Sequence, residues 1–220
     1  VVNAASSIGI AIYDDDGRDF DSLLQKADAA MYNAKAAGRN TYRFYNEQMN
    51  MQAHEHLLLQ NRLHQALFRA EFYLVYQPQL ETGTGRVIGV EALLRWKNAE
   101  LGEVVPARFI PVAEECGLIV PIGAWVMEEA CRHAQSLRQA GWPELTMSVN
   151  LSAMQFRRAG LIETISGALE RSGLPAHLLE LELTESILLQ DVENNLEMVR
   201  QLKSLGVRLS IDDFGTGYSS

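Results

Sequence analysis

The sequence contains little of what thiol-based metal sites and nucleic-acid interfaces are made of. Its only two cysteines, Cys116 and Cys131, do not have metal-ligand spacing and are expected to be reduced, structural thiols. The formal net charge is −9, and no basic stripe is present to neutralise phosphates, which excludes polymeric nucleic acid as a partner. A small anionic ligand held by a few local cations is still allowed.

Long apolar runs are also missing. The longest nearly uncharged stretch, GLIVPIGAWVM at residues 117–127, is too short to span a bilayer. The N-terminus has neither the basic segment nor the cleavage site of a signal peptide, and it has no initiating Met. We therefore expect a cytoplasmic segment without membrane contact, cut from a longer protein whose upstream domains are free to carry a membrane tether.

The periodicity of apolar residues divides the chain into three parts. Residues 1–46 are predicted to form the last strand, helix and strand of an α/β domain. Residues 47–66 read as a connector helix, because this segment contains no Gly or Pro. The connector carries three histidines whose spacing does not place two of them on one helix face. We expect these histidines, at positions 54, 56 and 64, to face solvent.

From residue 67 to residue 220, predicted strands alternate with predicted helices. This alternation indicates a mainly parallel sheet, either open or closed into a barrel. Several of the helical stretches end at a glycine, the residue that most easily adopts the left-handed conformation after a helix. The predicted strands cover residues 72–80, 87–96, 146–152, 178–185 and 207–214.

Residue parity within these strands predicts one apolar and one polar face, because side chains in a strand alternate between its two sides. The apolar face is expected to pack beneath the helices. It comprises Ile88, Val90, Ala92, Leu94, Trp96, Met147, Val149, Leu151, Leu179, Leu181, Leu183, Val207, Leu209 and Ile211. The opposite parity places an acid or amide towards the end of four strands: Glu91, Asn150, Glu182 and Asp212.

Three carboxylates and an amide form a set of hard oxygen ligands, which suits Mg²⁺ or Mn²⁺ better than zinc or copper. Asp213 follows Asp212 directly, so the pair could hold one shared and one separate ion, as in two-metal phosphoryl-transfer sites. Taken singly, a glutamate in a strand is more often a salt-bridge residue, and two aspartates before FGTG are more often part of a loop. Spacing alone leaves these structural roles and the metal site both open.

Six motifs carry a resemblance to a known family: YQPQ, EALLRW, PARFIPVAEECGLI, VNLS, LELTES and DDFGTGYSS. In this order and spacing they resemble EAL-domain proteins, which comprise cyclic di-GMP-specific phosphodiesterases and their catalytically silent relatives. The resemblance covers about residues 63–220. Ahead of it, SIGIA and ADAAMYNAKAAGRNTYRFY resemble the closing strand and helix of a GGDEF domain, the diguanylate cyclase fold, whose own motif is not in the chain.

The resemblance implies a modified (β/α)₈ barrel whose first strand, at residues 72–80, runs antiparallel. It also implies two Mg²⁺ or Mn²⁺ ions and hydrolysis of cyclic di-GMP to its linear dinucleotide. Glu185 is expected to steady the loop after DDFG. The implied metal ligands are Glu91, Asn150, Glu182, Asp212 and Asp213, of which Glu91, Asp212 and Asp213 count as catalytic. The implied substrate contacts are Gln77, Leu93 and Arg95.

The match supplies about the first five strands of such a barrel. The later family motifs, which contain a lysine, a further glutamate and a glutamine, are absent, so residues 1–220 alone are expected to be inactive. Intact EALLRW, VNLS, ELTE and DDFG favour a phosphodiesterase as the parent protein. The alternative is a silent cyclic di-GMP receptor that signals through the connector helix and dimerisation. The resemblance also implies a homodimer formed through the EAL domain, near DDFGTGYSS.

Overall fold

The structure is a computed structural model that describes residues 6–36, 40–184, 187 and 192–212. The chain divides into two compact units, residues 1–62 and 63–220. This division lies inside the helix that the sequence assigns to a connector. The three-part boundaries drawn from the sequence remain a prediction.

The first unit combines two short parallel strands with helices. Strand β1 (Ile8–Ile10) pairs with β2 (Tyr42–Phe44), and α1 (Phe20–Ala36) packs on both strands. Gly9 permits this close approach, because a Cβ atom there would lie 1.9 Å from the carbonyl oxygen of Ala27. Helix α2 (Glu47–Ala66) follows, and its Met49 forms a small apolar core with α1. The predicted strand, helix, strand and second helix are all present.

The histidines of α2 do not all face solvent. His54 and His64 are exposed as predicted, but His56 is half-buried. Its Nδ1 atom forms a hydrogen bond with the hydroxyl of Tyr32 on α1, and the centres of the two rings lie 4.6 Å apart. The prediction for His56 was wrong because helical spacing within α2 carries no information about which residues α1 covers.

The second unit contains a sheet of six strands among its described residues. The strand order is β3-β4-β6-β7-β8, and β5 pairs with β4 outside this path. Strand β3 runs antiparallel to β4, whereas β4, β6, β7 and β8 are parallel to one another, which confirms the antiparallel first strand. The strands are β3 (Phe72–Leu80), β4 (Val87–Asn98), β5 (Gly102–Val104), β6 (Thr146–Leu151), β7 (Leu179–Thr184) and β8 (Arg208–Asp212).

Helices connect the parallel strands and cover the apolar face of the sheet. Helix α4 buries a stripe that includes Ile122, Val126 and Ala130, spaced at three to four residues, which is the pattern of a helix with one face against a core. None of the helices described is both long enough and apolar enough to cross a membrane. They are α3 (Pro106–Glu115), α4 (Ile119–Gln139), α5 (Ala153–Phe156), α6 (Leu161–Ser172) and α7 (Val192–Ser204), with a 3₁₀ turn at Ala176–Leu178.

Most of the predicted apolar face is buried. Leu94 and Leu209 are half-buried, and two residues are exposed. Ile88 is 42% exposed because a register shift after Gln79 leaves it unpaired between Val87 and Gly89; such a bulge re-aims side chains. Ile211 is 49% exposed because β8 forms the edge of the described sheet, where a side chain has neighbours from one strand only.

Candidate active site

One face of the sheet carries the polar side chains that the sequence predicted. Strand pairing places Glu91 beside Ser148, Asn150 beside Glu182, and Thr184 beside Asp212. Residues that pair across strands share a face, so the four predicted ligands point to the same side of four neighbouring strands. The sequence placed Glu91 towards the end of its strand, but in the structure it lies near the middle of β4. Strand β4 continues to Asn98 because its last residues pair with β5.

Glu91 and Asn150 are in direct contact. The Nδ2 atom of Asn150 donates a hydrogen bond to Oε1 of Glu91 at 2.7 Å. A charge-assisted bond of this kind is stronger than a neutral one. It joins β4 to β6 on the polar face and leaves the amide oxygen of Asn150 available as a ligand.

The pKa of Glu182 is affected by the neighbouring carboxylates. Burial raises the pKa of Glu182 above its ordinary value, and the charges of Glu91 and Asp212 raise it further, while a hydrogen bond with Ser148 acts in the opposite direction. The three carboxylates share one polar face of the sheet, where their negative charges repel one another. A divalent cation would relieve the repulsion, so the donor set fits such an ion.

The described part of the chain does not by itself form a finished metal cage. No three His, Cys, Asp or Glu side chains among these residues converge closely enough to hold an ion. Asp213, predicted from its position next to Asp212, and Glu185, predicted from the resemblance, lie outside the described residues. The oxygen-only chemistry of Glu91, Asn150, Glu182 and Asp212 fits Mg²⁺ or Mn²⁺.

The predicted substrate contacts lie on β3 and β4. Gln77 is exposed and pairs with Glu91. Arg95 uses one guanidinium donor on the carbonyl oxygen of Leu94, at 2.9 Å. Leu93, Arg95 and Asn150 line a cavity of about 270 Å³, whose far wall is formed by apolar residues of α3 and α4. The structure therefore brings an arginine, an amide and an apolar recess together beside the carboxylates.

The sequence reasoning missed Gln79. Its Nε2 atom lies 3.3 Å from Oγ of Ser148 and 3.4 Å from Oε1 of Glu182, so it reaches one predicted ligand, Glu182, across the two strands that lie between β3 and β7. The two-residue period in QPQ places Gln79 on the same face as Gln77 and could have indicated it. Ser148 is fully buried and belongs to the same polar face.

The fold and this polar face define the class of protein as an α/β protein with a mainly parallel sheet and an oxygen-rich polar face. Residues 60–220 match the EAL domain family, and residues 2–41 match the family described as diguanylate cyclase, GGDEF domain. The EAL match covers well over half of the chain, which therefore belongs to the EAL domain family. Both resemblances predicted from the motifs are confirmed.

Two proteins of Pseudomonas aeruginosa illustrate the similarity. The bifunctional diguanylate cyclase/cyclic di-GMP phosphodiesterase MucR is 48% identical over 220 residues, covering 100% of this chain and 32% of MucR. The cyclic di-GMP phosphodiesterase NbdA is 41% identical over 215 residues, covering 98% of this chain and 28% of NbdA. The chain thus spans about a third of the length of these relatives.

Solved structures give the same assignment. The PaMucR phosphodiesterase in complex with c-di-GMP is 47% identical, with a TM-score of 0.72, covering 74% of this chain and 66% of that chain. The EAL enzyme Bd1971 in its cGMP-bound form is 32% identical, with a TM-score of 0.70 over 78% of this chain and 48% of that chain. The barrel-like α/β fold predicted from the sequence is therefore confirmed.

Proposed function

We propose that the protein containing this chain hydrolyses one phosphodiester bond of cyclic di-GMP and releases the linear dinucleotide. One structural observation carries this proposal: Glu91, Asn150, Glu182 and Asp212 lie on one face of four neighbouring strands, beside Arg95. The similarity to MucR and NbdA, which are named as cyclic di-GMP phosphodiesterases, supports this substrate.

The polar face would hold the divalent ions through its oxygens. Glu91, Asn150, Glu182 and Asp212 would hold one Mg²⁺ or Mn²⁺, and Asp213 would extend the set towards a second. When bound, such ions stabilise negative charge on a phosphate and lower the pKa of water. The Asn150–Glu91 hydrogen bond keeps the Glu91 carboxylate oriented on the strand that also carries Arg95.

Arg95 would bind the phosphate of the substrate. A guanidinium has five donors in a planar fork that matches phosphate oxygens, and the carbonyl oxygen of Leu94 occupies only one of them at 2.9 Å. In the hydrolysis, water supplies the oxygen that bonds to phosphorus, one P–O bond to ribose breaks, and the departing oxygen gains a proton. Arg95 and the recess beside it would fix the dinucleotide so that one phosphate faces Glu91.

The test is a turnover assay on the full-length protein. We expect cyclic di-GMP to be converted to the linear product with Mg²⁺ or Mn²⁺ and not with excess chelator. Glu91→Gln should lower the turnover rate by at least about 100-fold, because it removes one negative charge from the ligand set. Glu144→Gln, on an exposed loop before β6, is the matched control and should behave as wild type. Cyclic di-GMP that stays intact with the wild type would contradict the proposal.

The homodimer implied by the family resemblance is part of the same proposal. Sedimentation equilibrium of the full-length protein should give twice the monomer mass. A monomer that still hydrolyses cyclic di-GMP would remove the dimer from the proposal and leave the catalytic assignment intact.

A further inference from the structure

The side chain of Gln79 contacts residues on strands other than its own. It is the last regularly paired residue of β3, opposite Gly89 on β4, and the pairing shifts register immediately after it. Its side-chain amide passes over β4 and reaches Ser148 on β6 and Glu182 on β7. A single glutamine therefore links β3 to two strands that are not its neighbours.

Gly89 opens the path for this side chain. A Cβ atom at position 89 would lie 2.6 Å from Oε1 of Gln79 and 3.0 Å from the carbonyl oxygen of Thr146, and both distances are shorter than normal contact. Gly89 is not in a left-handed conformation, so its lack of a side chain is explained by space and not by backbone strain. Gly89 leaves the space that the side-chain amide of Gln79 occupies.

The side-chain amide of Gln79 contacts both Glu182 and Ser148. Gln79 Nε2 approaches Glu182 Oε1 at 3.4 Å and Ser148 Oγ at 3.3 Å, while the Ser148 hydroxyl is 3.5 Å from Gln79 Oε1. Each contact is long, so each is weak alone. Only the first contact touches the Glu182 carboxylate, while the two contacts with Ser148 hold the Gln79 amide in place. Ser148 has no alternative partner in water because it is fully buried.

We propose that Gln79 is a positioning residue for the metal site, which orients the Glu182 carboxylate through the gap at Gly89. This inference rests on the metal site proposed above. A donor on Oε1 restricts rotation of the Glu182 carboxylate. Residues that orient metal ligands in this way commonly change metal affinity by about 10–100-fold when they are replaced. Gln77, two residues earlier on β3, makes no hydrogen bond to these carboxylates within the described part of the chain.

The experiment measures metal binding, independent of turnover. Mn²⁺ is titrated calorimetrically into the metal-free full-length protein, as wild type, Gln79→Met and Gly89→Ala. Methionine matches the length of glutamine without its donor, and alanine at 89 displaces the amide. We expect Gln79→Met to weaken Mn²⁺ binding by about 10-fold. We expect Gly89→Ala to weaken it similarly, and to add little in the Gln79→Met background because both changes act through the same contact.

Gln139→Met, at the exposed end of α4, is the matched control and should bind Mn²⁺ as wild type does. The melting temperature of each metal-free variant shows whether it is folded, and Ser148→Ala replaces Gly89→Ala if that variant is not. Mn²⁺ affinity within twofold of wild type in Gln79→Met would overturn the inference while the metal site stands. Absence of Mn²⁺ binding by the wild type would overturn the proposed metal site itself, and the inference with it.

Discussion

Asn150 and Glu91 are joined by a hydrogen bond of 2.7 Å between neighbouring parallel strands, although 59 residues separate them in the sequence. The bond aligns an amide donor with a carboxylate that shares its face of the sheet with Glu182 and Asp212. Without a cation, this donor is the chain's own means of offsetting part of the local negative charge.

Replacing that donor with a charge should destabilise the metal-free protein. In Asn150→Asp, a like charge replaces the charge-assisted hydrogen bond to Glu91, and we expect a loss of about 1–2 kcal/mol of unfolding free energy in chelator. Urea unfolding measures it. Added Mn²⁺ should recover more stability in Asn150→Asp than in wild type, because the extra carboxylate is then neutralised. Asn150→Ala, which removes the donor without adding charge, is the control and should lose less. Equal stability of Asn150→Asp and wild type in chelator would contradict this account.

Glu71, the residue before β3, accepts hydrogen bonds from two buried side chains. Its Oε2 atom accepts hydrogen bonds from Trp96 Nε1 and Asn98 Nδ2, both at 2.9 Å, and both donor residues are buried. Glu71→Ala would leave these donors without their partner, so we expect a loss of about 2–4 kcal/mol of unfolding free energy, measured by urea unfolding. Glu144→Ala, on an exposed loop, is the comparison and should change stability by less than about 0.5 kcal/mol. A Glu71→Ala loss no larger than that of Glu144→Ala would show that water replaces the carboxylate.

His133 should make stability depend on pH. Its ring stacks on Tyr76 at 4.0 Å, and burial lowers the pKa of His133 below its ordinary value, with Arg132 lowering it and Glu129 raising it. The unfolded chain then binds the proton more tightly than the folded chain. Stability from this residue is therefore complete above the unfolded pKa of about 6.5 and is lost as pH falls from there through the folded pKa.

The test for His133 compares melting temperatures at pH 7.5 and pH 5.5. His133→Phe keeps an aromatic ring on Tyr76 and cannot be protonated, so we expect a smaller drop in melting temperature on acidification than in wild type. His177→Phe, at an exposed position in the 3₁₀ turn, controls for the loss of any histidine. An unchanged drop in His133→Phe would assign the acid sensitivity to other groups.

His56 should stabilise the packing of the first half of α2 against α1. Loss of its hydrogen bond and ring contact with Tyr32 removes about 1 kcal/mol, which corresponds to roughly fivefold faster amide exchange in the first half of α2 if local opening governs exchange. Hydrogen exchange with mass spectrometry measures this in His56→Ala. The exposed His54, two residues away, is the matched control, and His54→Ala should exchange as wild type. Equal exchange in both variants would mean that the Tyr32 contact does not hold the helix.

The alternation of apolar and polar residues was sufficient to predict five of the six described strands of the second unit, but not the three-residue β5. It also predicted the shared face of Glu91, Asn150, Glu182 and Asp212. Side-chain alternation is a local property of extended backbone, so it can be read from the residues themselves. The motif resemblance then supplied the antiparallel first strand, which local periodicity does not contain.

Only the tertiary structure decided which of these residues meet. Strand register and bulges depend on pairing between segments far apart in the chain, so the sequence could not show that Ile88 is unpaired or that β4 continues to Asn98. Gln77 was implied by the motif resemblance, whereas spacing alone places Gln79 on the same face without showing what it contacts. The reach of Gln79 to Glu182 depends on the gap that Gly89 leaves on the strand between them, and that gap exists only once β3, β4, β6 and β7 are paired.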